Sequence, residues 1–141
     1  MALQAQYAST PVIGMAELTT TVETNARNPT GGNLSTVLTG GASGTRISKI
    51  IVIGTGSTTA AVVRLWLYDN TNYRLIREIA IPTSTISNTA ENLPKTLFSE
   101  STNIDFLPIV LPSTTWSLRA SISVTQGASA GVNVIAIGAN L

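Results

Sequence analysis

Gly54, Thr55 and Gly56 follow the apolar run at 51–53, which is the order in which a dinucleotide-binding βα turn opens. That chemistry needs a third small residue three positions beyond the second glycine, a helix whose N-terminus holds the pyrophosphate, and an acid about twenty residues on. Position 59 is Thr, the following segment alternates at period two, and Asp69 arrives early, inside the next turn. The glycines therefore read as an inter-strand loop, and no cofactor site is expected.

Other reaction chemistry is equally short of parts. The 141 residues contain no His and no Cys, which removes imidazole bases, thiolate nucleophiles and the usual zinc ligands together. No G-x-S-x-G occurs, and neither Lys49 nor Lys95 sits in an S-x-x-K that would activate a serine. The seven acids, Glu17, Glu23, Asp69, Glu78, Glu91, Glu100 and Asp105, are spread singly, with no calcium-loop spacing and no pair marked for glycoside hydrolysis. No catalytic residue, metal ligand or cofactor is assigned, and the chain is read as a non-enzyme.

The aromatics offer binding rather than catalysis. Trp66, Tyr68 and Tyr73 cluster at one hairpin, with Trp66 and Tyr68 on the face that carries Arg64. Exposed, these four form a candidate interface or a platform for stacking on sugar rings; buried, they are core. Trp116 alternates with Leu118, Ala120, Ile122 and Val124 and is expected inside.

The elements that position these residues read as strands. Thr and Ser number 21 and 14, about a quarter of the chain, beside many Val and Ile, a composition suited to half-buried β structure. Period-two alternation places strands at 12–23, 34–39, 46–53, 61–68, 73–81, 104–111, 115–124 and 132–137, with turn residues between them. "DNTN" at 69–72 is an Asx-type turn joining 61–68 to 73–81. The segment 82–103 reads as a long surface loop, and Pro108 points to an edge strand or a bulge. The fold class is all-β: a two-sheet antiparallel sandwich of about eight strands, of which a jelly roll is one form. Residues 12–141 make one domain, and 1–11 a candidate N-terminal arm ordered by a partner.

Eight basic against seven acidic residues give a net charge of +1, and the basic residues are scattered, so neither nucleic acid nor an anionic membrane is implied. The start of the chain lacks a signal-peptide pattern. The uncharged run 120–141 is too polar for lipid and alternates like strands.

Two segments, 62–82 ("VVRLWLYDNTNYRLIREIAIP") and 109–141 ("IVLPSTTWSLRAS…NVIAIGANL"), resemble small β-sandwich virion proteins of tailed bacteriophages. The features that carry the resemblance are a W-L-Y-D turn before an R-L-I-R-E-I strand, a P-x-x-x-W-S-L-R-A element and a terminal N-V-I-A strand. The resemblance implies a capsid decoration (cement) protein that binds the major capsid protein on the virion surface; a tail or fibre component is the neighbouring option. It also implies a homo-oligomer, with a trimer on local three-fold axes as the expected form. A carbohydrate-binding, lectin-like module using the hairpin aromatics is the alternative from another class.

Overall fold

The computed structural model describes residues 10–141. Nine strands alternate between two antiparallel sheets: β1 (Thr10–Leu18), β2 (Ser35–Thr39), β3 (Thr45–Gly54), β4 (Ala61–Tyr68), β5 (Tyr73–Ile81), β6 (Lys95–Ser99), β7 (Ile109–Leu111), β8 (Ser117–Ile122) and β9 (Val132–Asn140). One sheet runs β1-β9-β3-β6, with β7 pairing the same edge of β3 as β6; the other runs β2-β8-β4-β5. The expected sandwich is present, with nine strands in place of eight.

The core lies between the sheets and follows from the alternation. In β3, Ile47, Ile50 and Val52 point inward; in β4, Val63 and Leu65; in β8, Leu118, Ala120 and Ile122; in β9, Val132, Val134 and Ala136. Each strand thus offers every second side chain to a shared interior. A bulge at Ser48 shifts the β3–β9 register between Ile47 and Lys49, and the Ser48 hydroxyl donates to the Ile137 carbonyl across it. Gly138 stands opposite, where a Cβ would overlap the Arg46 carbonyl oxygen. Gly14 serves the seam between sheets in the same way: a Cβ there would overlap the Val37 carbonyl oxygen of β2.

Strand ends depart from the alternation where local polar groups intervene. β1 spans Thr10–Leu18, so Thr10 and Pro11 are strand rather than arm, and residues 1–9 of the candidate arm lie outside the described residues. The expected strand at 104–111 contracts to β7, because Asn103 organises the preceding residues: its carbonyl accepts from the Phe106 and Leu107 amides, and its side chain accepts from the Ser99 amide. The expected loop at 82–103 contains β6, a five-residue edge strand whose Phe98 reaches the core. Gly54 ends β3 against Pro94 and Thr58, and a Cβ on Gly56 would lie 2.5 Å from the Ser129 carbonyl oxygen. Strand β4 follows, not a helix, so the glycines answer close approach of neighbouring backbone.

Candidate interaction surface

A sheet in a two-layer sandwich buries one face and ordinarily turns polar side chains outward. The outer face of the β2-β8-β4-β5 sheet keeps that rule by being covered. After β1 the chain crosses over: Val22 bridges Ile122, the Glu23 amide donates to the Ile122 carbonyl, and Arg64 donates to the Glu23 carbonyl at 3.4 Å. The Glu23 carboxylate, itself buried, then accepts from the Asn25 and Thr30 amides at 2.7 Å each and from the Asn33 side-chain amide at 3.3 Å. Burial pushes this carboxyl up, but those donors together outweigh it and hold the group below the ordinary glutamate range. One carboxylate therefore fastens the loop 24–33 over the sheet, and the 3-10 turn at Gly31–Asn33 lands where a Cβ on Gly31 would be 2.6 Å from the Tyr73 hydroxyl.

The hairpin aromatics sit on this same face. Trp66 points away from the inter-sheet core, yet it is 0% exposed, and its indole N–H donates to Ser121 Oγ at 2.9 Å. Tyr68 and Tyr73 are half-buried and stack on each other, with centroids 4.2 Å apart and planes 14° from parallel; the Arg119 guanidinium lies 4.9 Å from the Tyr68 ring. Burial and the Tyr68 ring raise the Tyr73 phenol above its ordinary range. Arg64 is largely buried, paired to Glu78 at 3.1 Å. The four expected interface residues do share one face, but Trp66 has no open ring to offer and the tyrosines spend theirs on each other. Trp116 is half-buried and packs on the core.

Among the described residues, the outer face of the other sheet is left open along its middle row, and that row is apolar. Register places Met15 opposite Ile135, Ile135 opposite Ile51, and Ile51 opposite Leu97, so one row of four apolar side chains crosses β1, β9, β3 and β6. Met15 is 70% exposed and Leu97 51%, while the two central isoleucines are half-buried by their neighbours. The next row reads Ile13, Ile137, Lys49, Ser99, and Ile13 is 63% exposed. The row on the other side reads Glu17, Asn133, Ile53, Lys95, which sets an acid at one corner and a base at the opposite one. Sequence reasoning did not single out this face. Its signal was present in "KIIVI" at 49–53 and "VNVIAI" at 132–137, strands apolar on both faces in an antiparallel sandwich.

Three concavities among the described residues are open depressions. One of about 340 Å³ lies beside Ile53 and Lys95 under 87–93, one of about 170 Å³ lies between Arg27 and Arg74 at the hairpin tip, and one of about 360 Å³ lies between Gly56 and Ser129. Among the described residues no group of three or more His, Cys, Asp or Glu is placed to hold a metal, and no helix is long and apolar enough to cross a membrane.

No protein-family model matches the chain, and no curated protein matches it in sequence. Among solved structures, it is similar to a chain of the cyanophage Pam1 capsid asymmetric unit, at TM-score 0.42 and 12% identity over 100% of this chain and 92% of that one. It is also similar to a chain of the T13 infectious bursal disease virus particle, at TM-score 0.36 and 11% identity over 99% of this chain. The VP2 subviral particle of the same virus gives TM-score 0.35 and 10% identity over 96% of this chain. The chain spans about a third, 34%, of each of the two bursal disease virus chains.

Proposed function

We propose that this protein is a non-enzymatic structural component of a virion, a decoration (cement) protein that binds the major capsid protein and stabilises the shell. The observation that carries the reading is the apolar row Met15–Ile135–Ile51–Leu97, open among the described residues, which suits a protein that works through protein contacts rather than through a reaction. Contiguous apolar surface on an outer face is the mark of a protein contact, and a contact that is mostly uncharged is little weakened by salt. The two segments that resemble small virion proteins of tailed phages support the same class. The lectin-like alternative loses its platform, because Trp66 is covered and Tyr68 and Tyr73 face each other.

The test is to purify particles from a culture producing the protein and to measure its ratio to the major capsid protein by quantitative mass spectrometry. A fixed ratio, and particles that break at lower temperature once the protein is stripped, are expected. Absence from the particles, or binding of the purified protein to a defined oligosaccharide, overturns the reading.

A further inference from the structure

The geometry points to a second copy of this chain as the occupant of the apolar face, seated about a two-fold axis that runs parallel to the strands between β9 and β3. The inference rests on the reading of that face as a protein contact and names its partner. Three features bear on the copy and the axis, and charge is the one that separates the two axes.

The first is charge. Glu17 and Lys95 end the same row, one on β1 and the other on β6, with Asn133 and Ile53 between them. A two-fold axis along the strands carries β1 of one copy over β6 of the other, so Glu17 faces Lys95 of the second copy, twice. An axis across the strands would instead set Glu17 over Ile13 and Lys95 over Ser99, leaving both charges against uncharged side chains. The second is apolar register. The same operation lays Met15 over Leu97 and Ile135 over Ile51, while on the adjacent row Lys49 lies over Ile137 and its ammonium must reach past it to solvent. The third is packing: strands related by this axis stay aligned, which is the ordinary way two sheets meet face to face.

Size sets the strength. Four strands at about 4.8 Å spacing and three rows of outward side chains give a footprint of about 400 Å² on each copy, at the weak, transient end of pairing. The pair therefore forms at micromolar concentration in free solution and more completely where copies are held close on a surface.

The test uses the full chain, whose lack of Cys makes any introduced thiol unique. Sedimentation velocity across a micromolar concentration series is expected to show a monomer–dimer equilibrium. Glu17→Lys and Lys95→Glu should each weaken the dimer about tenfold, and the double reversal should return it to within about threefold of the original. Each charge sits on an exposed or edge position, so far-UV circular dichroism should be unchanged. Independently, a mixture of Glu17→Cys and Lys95→Cys chains should be joined by a short bismaleimide, whereas Glu17→Cys alone should not. A protein that stays monomeric, a trimer, reversal without rescue, or cross-linking of Glu17→Cys to itself overturns the proposal. A monomer still found at fixed ratio in particles overturns only the pairing, and a dimer absent from particles overturns only the virion reading.

Discussion

Arg77 lies across the seam between the sheets, with its guanidinium 5.1 Å from the Phe98 ring centroid and 5.2 Å from that of Phe106. The two rings meet edge to face, 5.3 Å apart. Arg77 pairs with Leu65 and so shares its inward face, at the edge strand of one sheet, while Phe98 belongs to the edge strand of the other. A cation thus closes the side of the sandwich that has no backbone pairing. Arg77→Ala should lower stability by about 1–2 kcal/mol, through lost cation–π attraction and lost stem packing, and Arg77→Lys should recover part of it. Urea denaturation of the three proteins measures both.

Trp66 and Tyr68 should separate sharply despite being two residues apart. Trp66→Ala empties a fully buried site and strands the Ser121 hydroxyl, so a loss of about 3–5 kcal/mol is expected. Tyr68→Ala removes a half-buried ring that stacks on Tyr73, and about 1–2 kcal/mol is expected. Equal losses in thermal or urea unfolding would contradict the burial described for Trp66.

Glu23 makes stability depend on acid pH. Its folded pKa is lowered, so its contribution is fully present above the ordinary glutamate value of 4.5 and is lost as pH falls through the lower folded value. Unfolding midpoints should fall over that acid window, and Glu23→Gln should flatten this part of the profile while costing about 2 kcal/mol at neutral pH. In a Trp116→Phe background, the emission of Trp66 should shift to the red as the loop 24–33 lets go.

Gly14 and Gly32 give a matched pair of glycine substitutions. Gly14→Ala forces its methyl into the Val37 carbonyl, and the two sheets must part at that seam; a loss above about 2 kcal/mol is expected. At Gly32 an added Cβ meets nothing within 4 Å, and Gly32→Ala should be neutral or stabilise by about 0.5 kcal/mol. Thermal unfolding of both variants reads the contrast.

What the sequence disclosed follows what is local. β4 and β5 were legible to the residue because each alternates cleanly and Asp69 closes the turn, accepting from the Thr71 and Asn72 amides while Asn70 takes φ 75°. β6 was not legible: a five-residue edge strand with Phe98 as its one buried side chain has too few positions to set a period. The burial of Trp66 was hidden for a different reason: it lies on the face turned away from the inter-sheet core, where alternation predicts exposure, and its indole N–H is satisfied by Ser121 of the neighbouring strand. The apolar row was hidden most deeply. Its members come from β1, β9, β3 and β6, and only the pairing order of the sheet brings Met15, Ile135, Ile51 and Leu97 into line.

The central place of β9 bears on how the chain reaches this state. β9 lies between β1 and β3, pairing Leu18 with Val132 at one end and Thr10 with Asn140 at the other. A nascent chain that has released only its first hundred residues holds β1 and β3 with the strand between them still missing. Only the β4–β5 hairpin can form early from sequence neighbours; the larger sheet must wait for β9 to leave the ribosome. Non-local pairing of this kind folds slowly and leaves strand edges open meanwhile. Leu18 of β1 and Ile47, Ile50 and Val52 of β3, all buried in the finished fold, lack that strand through the interval, so high-level expression should reward conditions that slow synthesis or supply a holding chaperone.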